Sequence, residues 1–178
     1  MTNKFISSIF AVDDNGTMGN NGSLPWGKIP EDMKYFSKVT QHCTLIMGRK
    51  TWESPDMLRP LPGRKHLVLT NQPEQMREKY ETLLPHVAFT DNSDLLNIQQ
   101  YIRHGIDDFG NFVRTFVIGG PDLINYLRPI TKFAYISRIN GTYKGDVSID
   151  LDSYLRNFDL LSVRSLGKPA TVSEYISR

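Results

Sequence analysis

The chain has 178 residues, enough for one domain with a sizeable buried core, and its 39% hydrophobic and 22% charged residues exclude a disordered chain. The net charge of +2 and the scattered basic residues argue against a nucleic-acid-binding surface. The single cysteine, Cys43, fits a reducing compartment, and no apolar run is long enough to cross a membrane or to serve as a signal peptide. We therefore expect a cytoplasmic, soluble monomer. The four histidines lack metal-ligand spacing, so we expect no metal site.

Apolar, β-favouring runs alternate with helical or loop segments along the chain. The predicted strands are residues 5–12, 44–47, 66–69, 87–89, 115–118, 133–139, 160–166 and 171–176. The predicted helices are residues 31–40, 50–54, 74–79, 94–103 and 122–127, and residues 13–27 are predicted to form a loop. This alternation predicts an α/β fold over residues 1–178: a single domain with a mainly parallel central sheet, helices on both faces and an antiparallel C-terminal hairpin at one edge.

One acid, Asp32, has an unusual position in the first predicted helix. Helical spacing places it on the apolar stripe of Tyr35, Phe36 and Val39, opposite the polar side chains of Lys34 and its neighbours. A carboxylate in such a place loses water, so it must find hydrogen-bond donors or hold its proton more tightly. It can then grip a nitrogen-rich ring, although an acid that only complements the helix dipole is the alternative.

Two predicted strand-to-helix turns are suited to phosphate. The first has Gly48 before Arg49-Lys50-Thr51, and the second has Gly119-Gly120 before the helix of residues 122–127. Either turn alone could be merely tight, because neither is a G-x-G-x-x-G fingerprint. Together, at the carboxyl ends of parallel strands, they indicate a dinucleotide crevice. Thr70-Asn71 follows the third strand without an acid, which favours NADP over NAD.

Two further segments have both a functional and a structural interpretation. The loop that contains Met18-Gly19 is rich in Gly and Asn and leads to Leu24-Pro25-Trp26, a composition that favours a lid over a reaction site; a plain surface loop is the alternative. Arg64 follows a Pro-rich connection, and its planar guanidinium suits a carboxylate, unless it is simply exposed.

In their order along the chain, these segments resemble the dihydrofolate reductase family. The matching motifs are Ile9-Phe10-Ala11-Val12, Met18-Gly19, Leu24-Pro25-Trp26, Asp32 with Phe36, Ile46-Met47-Gly48-Arg49-Lys50-Thr51-Trp52-Glu53-Ser54, Arg59-Pro60-Leu61-Pro62-Gly63-Arg64, Ile118-Gly119-Gly120 and Gly145-Asp146. The resemblance implies NADPH-dependent reduction of 7,8-dihydrofolate to tetrahydrofolate, with hydride transfer to C6 and protonation of N5.

The resemblance also implies residue roles. Asp32, Trp26 and Leu24 would serve catalysis: Asp32 on the pterin's amidine-like edge, and the other two in the lid, with Trp26 reaching Asp32 through water. The substrate would be held by Ile9, Asp32, Met33, Phe36, Arg59, Leu61, Arg64, Ile118 and Ser137. The cofactor NADPH would be held by Ala11, Met18, Gly19, Arg49, Lys50, Thr51, Thr70, Asn71, Gly119, Gly120, Asp122, Leu123 and Ile124. Gly145-Asp146 would hydrogen-bond the closed lid.

The chain departs from the family pattern at a few positions. Ser137 replaces a threonine opposite the acid, Ile124 replaces an aromatic residue, and the segment of residues 54–58 is longer than in bacterial members. Which of Met57 and Leu58 lines the cleft stays open. Two rival functions stay open as well. A pyrimidine reductase of riboflavin synthesis would share fold and cofactor but not Asp32 with Phe36, and a folate-binding module would keep the pocket without turnover.

Overall fold

The computed structural model of the chain describes residues 6–91, 98 and 114–178. The strands of this part are, in chain order, β1 Ile6–Val12, β2 Thr17–Gly19, β3 Thr44–Gly48, β4 Lys65–Leu69, β5 Val87–Thr90, β6 Thr115–Gly119, β7 Thr131–Ile139, β8 Val147–Ser148, β9 Phe158–Ser165 and β10 Ala170–Ser177. Eight of them form one sheet in the order β5-β4-β3-β6-β1-β7-β10-β9, and β2 pairs with β8. Neighbours from β5 to β7 are parallel, whereas β10 runs antiparallel to β7 and β9.

The helices of the described residues are α1 Pro30–Val39, α2 Arg49–Trp52, α3 Pro73–Lys79, α4 Pro121–Leu127 and α5 Leu151–Leu155, with 3-10 turns at Glu81–Leu83 and Arg128–Ile130. Three of these helices begin at a proline, whose fixed φ suits the first turn and whose missing N–H would be unpaired there anyway. The Asp150 side chain caps α5 by accepting the Ser153 N–H. No helix in the described ranges is both long and apolar enough to span a bilayer.

The parallel strands from β5 to β1 are largely buried on both faces and are mostly apolar, whereas the edge strand β9 is exposed after Phe158. Successive residues of one strand belong to different core clusters: Ile46 packs on one side, with Leu45 and Met47 on the other. Helices α4 and α5 cover the first face, while α1, α2 and α3 contribute Tyr35, Trp52 and Met76 to the second. Because the strands from β5 to β7 are parallel, their carboxyl ends lie at one common edge of the sheet. The loops that follow these strands can build a site there.

The predicted fold class is confirmed: a mainly parallel sheet, helices on both faces, and an antiparallel hairpin with β9 at the edge. The loop expected over residues 13–27 is wrong in part, because Gly16, with φ of 81°, turns the chain so that β2 pairs with β8. Strand β8 and helix α5 were not predicted, since both are too short to show a periodicity. The predicted helix of residues 94–103 lies outside the described residues, apart from Ile98.

Candidate active site

A hollow of about 1680 Å³ opens at the carboxyl ends of the parallel strands. Its walls come from β1, β3, β4, β6 and β7, from the segment around β2, and from α1 and α4. Pockets for one drug-sized ligand have volumes of about 300–1,000 Å³. This hollow therefore has room for two such ligands side by side.

Asp32 lies on the wall of this hollow, in the first turn of α1. Tyr35, Phe36 and Val39 share its less exposed side of the helix, whereas Lys34 is exposed, so the predicted stripe is confirmed. Burial raises the pKa of the Asp32 carboxyl, and a hydrogen bond with the Ser137 side chain opposes this rise. The group is thus poorly hydrated and gains from N–H donors that a ligand brings.

The sheet brings Ser137 to Asp32 across about a hundred residues of sequence. Strands β1 and β7 are parallel neighbours, and Ala11 lies opposite Ser137 in their register. Both residues line the hollow, and Ser137 is only 3% exposed. The Ser137 hydroxyl is therefore buried in the wall that Asp32 shares, where its interaction opposes the rise in the Asp32 pKa.

The two glycine turns meet at the other end of the hollow, because β3 and β6 are neighbours. A Cβ added at Gly48 would lie 3.9 Å from both the Gly119 carbonyl oxygen and the Gly120 nitrogen. Gly119 has a φ of 151°, and its added Cβ would come within 3.2 Å of Thr51 Oγ1. At Gly120 a Cβ would meet none of the described residues within 4 Å, so among them that face of the turn is open to a ligand. Such a bare main chain fits the close approach of a pyrophosphate.

Basic and hydroxyl side chains surround these turns. Arg49, Lys50, Thr51, Thr70 and Asn71 all line the hollow. The Arg49 guanidinium lies 2.6 Å from Glu53, a residue that also pairs with Lys79. These contacts, with the Lys79 hydrogen bond as the largest cause, lower the pKa of Glu53 and hold Arg49 at the start of α2. The donor set suits phosphates, including a 2′-phosphate.

The loop of residues 13–26, predicted to be a lid and called the lid below, is attached on one side to the start of β8. Asp146 accepts the Asn21 N–H at 3.1 Å through its side chain and donates its own N–H to the Gly19 carbonyl at 3.0 Å. A Cβ at Gly145 would lie only 2.5 Å from the Gly19 carbonyl oxygen and would also clash with the Thr17 side chain, so the close approach of these two segments requires glycine. The predicted hydrogen bonds between Asp146 and this loop are present, while the role of the loop as a closing lid stays a prediction.

The lid is also attached across the cleft, to the segment that follows α2. Ser54 Oγ donates to the Gly22 carbonyl at 2.7 Å, and Asp56 accepts the Leu24 N–H at 3.0 Å. The lid therefore bridges the hollow from β8 to residues 54–58. Both Met57 and Leu58 line the cleft: Met57 is partly buried, whereas Leu58 is 60% exposed.

Arg64 is a buried cation at the wall of the hollow, 8% exposed. Its guanidinium donates to the Ser37 and Pro62 carbonyls and to the Ser37 and Thr40 hydroxyls. Within the described ranges, no carboxylate lies within 4.0 Å of it. All these partners are neutral, so the site offers a net positive charge to an anionic ligand.

Most of the predicted site residues line the hollow together. On the substrate side these are Ile9, Leu24, Asp32, Met33, Phe36, Leu61, Arg64, Ile118 and Ser137, and on the cofactor side Ala11, Met18, Gly19, Arg49, Lys50, Thr51, Thr70, Asn71, Gly119, Gly120, Asp122 and Leu123.

Three predicted site residues have other surroundings. Ile124 is wrong as a cofactor contact, because it is fully buried between α4 and the sheet. Arg59 is not in the lining; it donates to the carbonyls of Trp52 and Ser54 and so shapes the connection after α2. Trp26 also lies outside the lining, with its ring edge-on to Tyr143 at 5.9 Å. Its water-mediated link to Asp32 stays a prediction.

Several lining residues were not predicted. Tyr126 reaches the hollow from α4, Ser37 is hydrogen-bonded to Arg64, Gln41 lies against Gly63, and Asp56 touches the lid. Tyr126 could have been found, since it lies five positions after the proline that starts α4. The other three are ordinary polar residues, and only the fold shows their place.

Comparison with known proteins agrees with this geometry. A family model described as dihydrofolate reductase matches residues 5–165. The dihydrofolate reductase of Bacillus subtilis is 34% identical over 141 residues, which are 79% of this chain and 73% of that protein. The Saccharomyces cerevisiae enzyme is 29% identical over 169 residues, 89% of this chain and 75% of that protein. The solved structure of Enterococcus faecalis dihydrofolate reductase complexed with NADP(H) and RAB-propyl superposes with a TM-score of 0.75 at 26% identity, covering 98% and 96% of the two chains.

A mainly parallel sheet, with a double-glycine turn and a partly buried acid lining one hollow, agrees with the class that the comparisons show, an NADP-dependent oxidoreductase of the α/β type. The family model covers most of the chain. The chain belongs to the dihydrofolate reductase family.

Proposed function

We propose that this chain reduces 7,8-dihydrofolate to 5,6,7,8-tetrahydrofolate with NADPH. The groups that bind and align the two ligands are Asp32, Arg64, the lid and the two glycine turns. The observation that carries the proposal is the shared hollow: Asp32 and Gly119-Gly120 line the same cavity, which has the volume for two ligands. One ligand can therefore pass a hydride directly to the other.

Asp32 holds the pterin ring. Its carboxylate accepts the N–H groups of the amidine-like edge, while Ser137 supports it from behind. A negative charge at that edge favours the protonated, more electrophilic ring, which aids hydride arrival at C6. A carboxylate on this edge is too far from N5 to protonate it directly, so we propose that a water admitted at the lid delivers the proton.

The residues present fit NADPH. The open face at Gly120 admits the pyrophosphate, Arg49, Lys50 and Thr51 face the phosphates, and Thr70-Asn71 tolerates a 2′-phosphate. Met18, Gly19 and Ala11 line the same hollow as Asp32 and would contact the nicotinamide half. When bound, NADPH supplies the hydride.

The remaining groups select and enclose the substrate. Arg64 clamps the α-carboxylate of the glutamate tail, because its buried charge has only neutral partners among the described residues. Leu61, Phe36 and Met33 wall the ring system. The lid excludes water, which strengthens every electrostatic contact inside.

A direct assay tests the proposal. Purified protein is mixed with NADPH and dihydrofolate, and the loss of NADPH absorbance is followed together with the formation of tetrahydrofolate. Turnover with dihydrofolate, but not with the pyrimidine intermediate of riboflavin synthesis, is the expected result. Tight folate binding without any NADPH consumption would instead indicate a binding module.

We also infer that the enzyme acts in the cytosol as a monomer. The sole cysteine, Cys43, is buried and has no partner for a disulfide, which suits a reducing compartment. Sedimentation of the purified protein at assay concentration measures the oligomeric state.

A further inference from the structure

His66 lies behind the wall of the substrate cleft, in strand β4, and is 3% exposed. Its Nε2 is 3.2 Å from the Leu61 backbone nitrogen, and its Nδ1 is 3.2 Å from the His86 carbonyl oxygen. The Leu61 N–H can only donate, so Nε2 must be the acceptor. The ring proton of neutral His66 therefore resides on Nδ1, from which it is donated to the His86 carbonyl.

The bond to His66 is important because of the sequence Pro60-Leu61-Pro62. Neither proline has an N–H, so Leu61 supplies the one backbone donor of these three residues. Before this stretch, the chain is fixed by Arg59, which donates to two carbonyls near α2. After Leu61, the Pro62 carbonyl accepts from the Arg64 guanidinium at 2.6 Å, and the Gly63 carbonyl accepts the His42 N–H at 3.0 Å. Between these anchors, His66 holds the main chain at Leu61.

Leu61 is followed closely by Arg64, and both line the hollow. A shift of the main chain at Leu61 would move the hydrophobic wall and, through Pro62 and Gly63, the base of the Arg64 side chain. We propose that His66 is a positioning residue for folate: its Nε2 fixes Leu61, and thereby the corner of residues 61–64, in the arrangement that binds the substrate. This inference rests on the proposed roles of Leu61 and Arg64.

Only the neutral imidazole ring of His66 can accept the Leu61 N–H through Nε2. Burial lowers the pKa of His66, the bond to the His86 carbonyl raises it, and the charges of Arg64 and His86 lower it further. The Trp52 ring packs against it at 5.4 Å between centroids and carries no charge. Because its pKa is lowered, His66 is mainly neutral in the folded protein. The stabilisation that its bond to Leu61 provides is therefore complete above the ordinary histidine pKa, and it is lost as the pH falls through the lowered pKa of His66. Protonation would then place an N–H on Nε2 against the Leu61 N–H.

Two substitutions separate the acceptor from the bulk of the side chain. In His66→Gln, the side-chain oxygen reaches the position of Nε2, accepts the Leu61 N–H and does not titrate. In His66→Asn, the amide reaches only the position of Nδ1, so the Leu61 N–H loses its partner. We expect His66→Asn to raise the KM for dihydrofolate about two- to tenfold, as for the loss of one neutral hydrogen bond, with kcat and the KM for NADPH little changed. His66→Gln should retain the low KM at neutral pH.

A pH series completes the test and does not require His66→Asn to fold. The KM of the unsubstituted protein should rise relative to that of His66→Gln as the pH falls, because only the imidazole can be protonated. Equal KM values for these two proteins over the whole acid range would overturn the inference, as would equal effects of Asn and Gln at neutral pH. Arg64→Leu is measured in parallel. If it leaves the KM unchanged, the proposed substrate site fails; if it raises the KM while the His66 variants do not, only the role of His66 fails.

Discussion

The substitution Asp32→Asn tests the chemistry of the site most sharply. The amide keeps the size of the carboxyl but replaces one acceptor oxygen with a donor NH₂, which faces the N–H groups of the pterin edge. Two hydrogen bonds to a charged group, at about 1.5–3 kcal/mol each, are weakened or reversed. Their loss corresponds to a decrease in kcat/KM of about two to four orders of magnitude.

The same change should make the free protein more stable near neutral pH. Burial raises the pKa of Asp32, so the folded state binds its proton more tightly than the unfolded state. The ionised group therefore opposes folding: stability falls as the pH rises from the ordinary aspartate pKa through the raised one, and the penalty remains above it. Asparagine has no such penalty. Asp32→Asn should thus have a higher Tm than the unsubstituted protein at neutral pH, and the difference should vanish in acid.

The assays are steady-state turnover with dihydrofolate and thermal unfolding over a pH series, with NADPH affinity as the control for an intact cofactor site. Ser137→Ala is the matched variant. It removes the hydrogen bond that opposes the rise in the Asp32 pKa, so the acid limb of the activity profile should move to higher pH. Near-normal turnover of Asp32→Asn at neutral pH would refute the assigned role of the carboxylate.

Three further predictions concern the rest of the hollow. Arg64→Leu should weaken folate binding by about 1.5–3 kcal/mol, or ten- to a hundredfold, in equilibrium titrations; an unchanged Kd would place the clamp elsewhere. Gly120→Ala should retain the Tm, since its Cβ meets no atom of the described part of the chain within 4 Å, yet it should raise the KM for NADPH. Gly119→Ala should lower the Tm as well, because of its φ of 151°. Asp146→Ala removes one exposed hydrogen bond to the lid, so it should slow the single-turnover hydride step, by no more than about tenfold. A rate equal to that of the unsubstituted protein would show that this attachment is not needed.

Local signals in the sequence were sufficient for most of the fold. Runs such as Thr44–Gly48 are short, largely apolar and end in glycine, and their alternation with helical segments indicates parallel pairing. The order of the strands in the sheet could not be predicted from local signals, because the position of β6 between β3 and β1 depends on contacts between residues that are distant in sequence. The pairing of β2 with β8 was missed for the same reason, because strands of two or three residues show no alternation.

The candidate site was predictable where a residue type conflicts with its surroundings. Asp32 on an apolar stripe and Gly119-Gly120 at a strand end are such conflicts, and both line the hollow. Ile124 was misassigned because its position relative to the glycines suggested a ligand contact, whereas the turn of α4 directs it into the core. The role proposed for His66 could not be foreseen, since its bond to Leu61 requires the three-dimensional course of the Pro-rich connection.

The most direct measurement is a crystal structure of this protein with NADPH and folate bound together. The account predicts folate with its amidine edge on Asp32 and its tail carboxylate on Arg64, and the nicotinamide carbon within about 3–3.5 Å of C6. Folate turned away from Asp32, or separated from the nicotinamide by protein side chains, would contradict it.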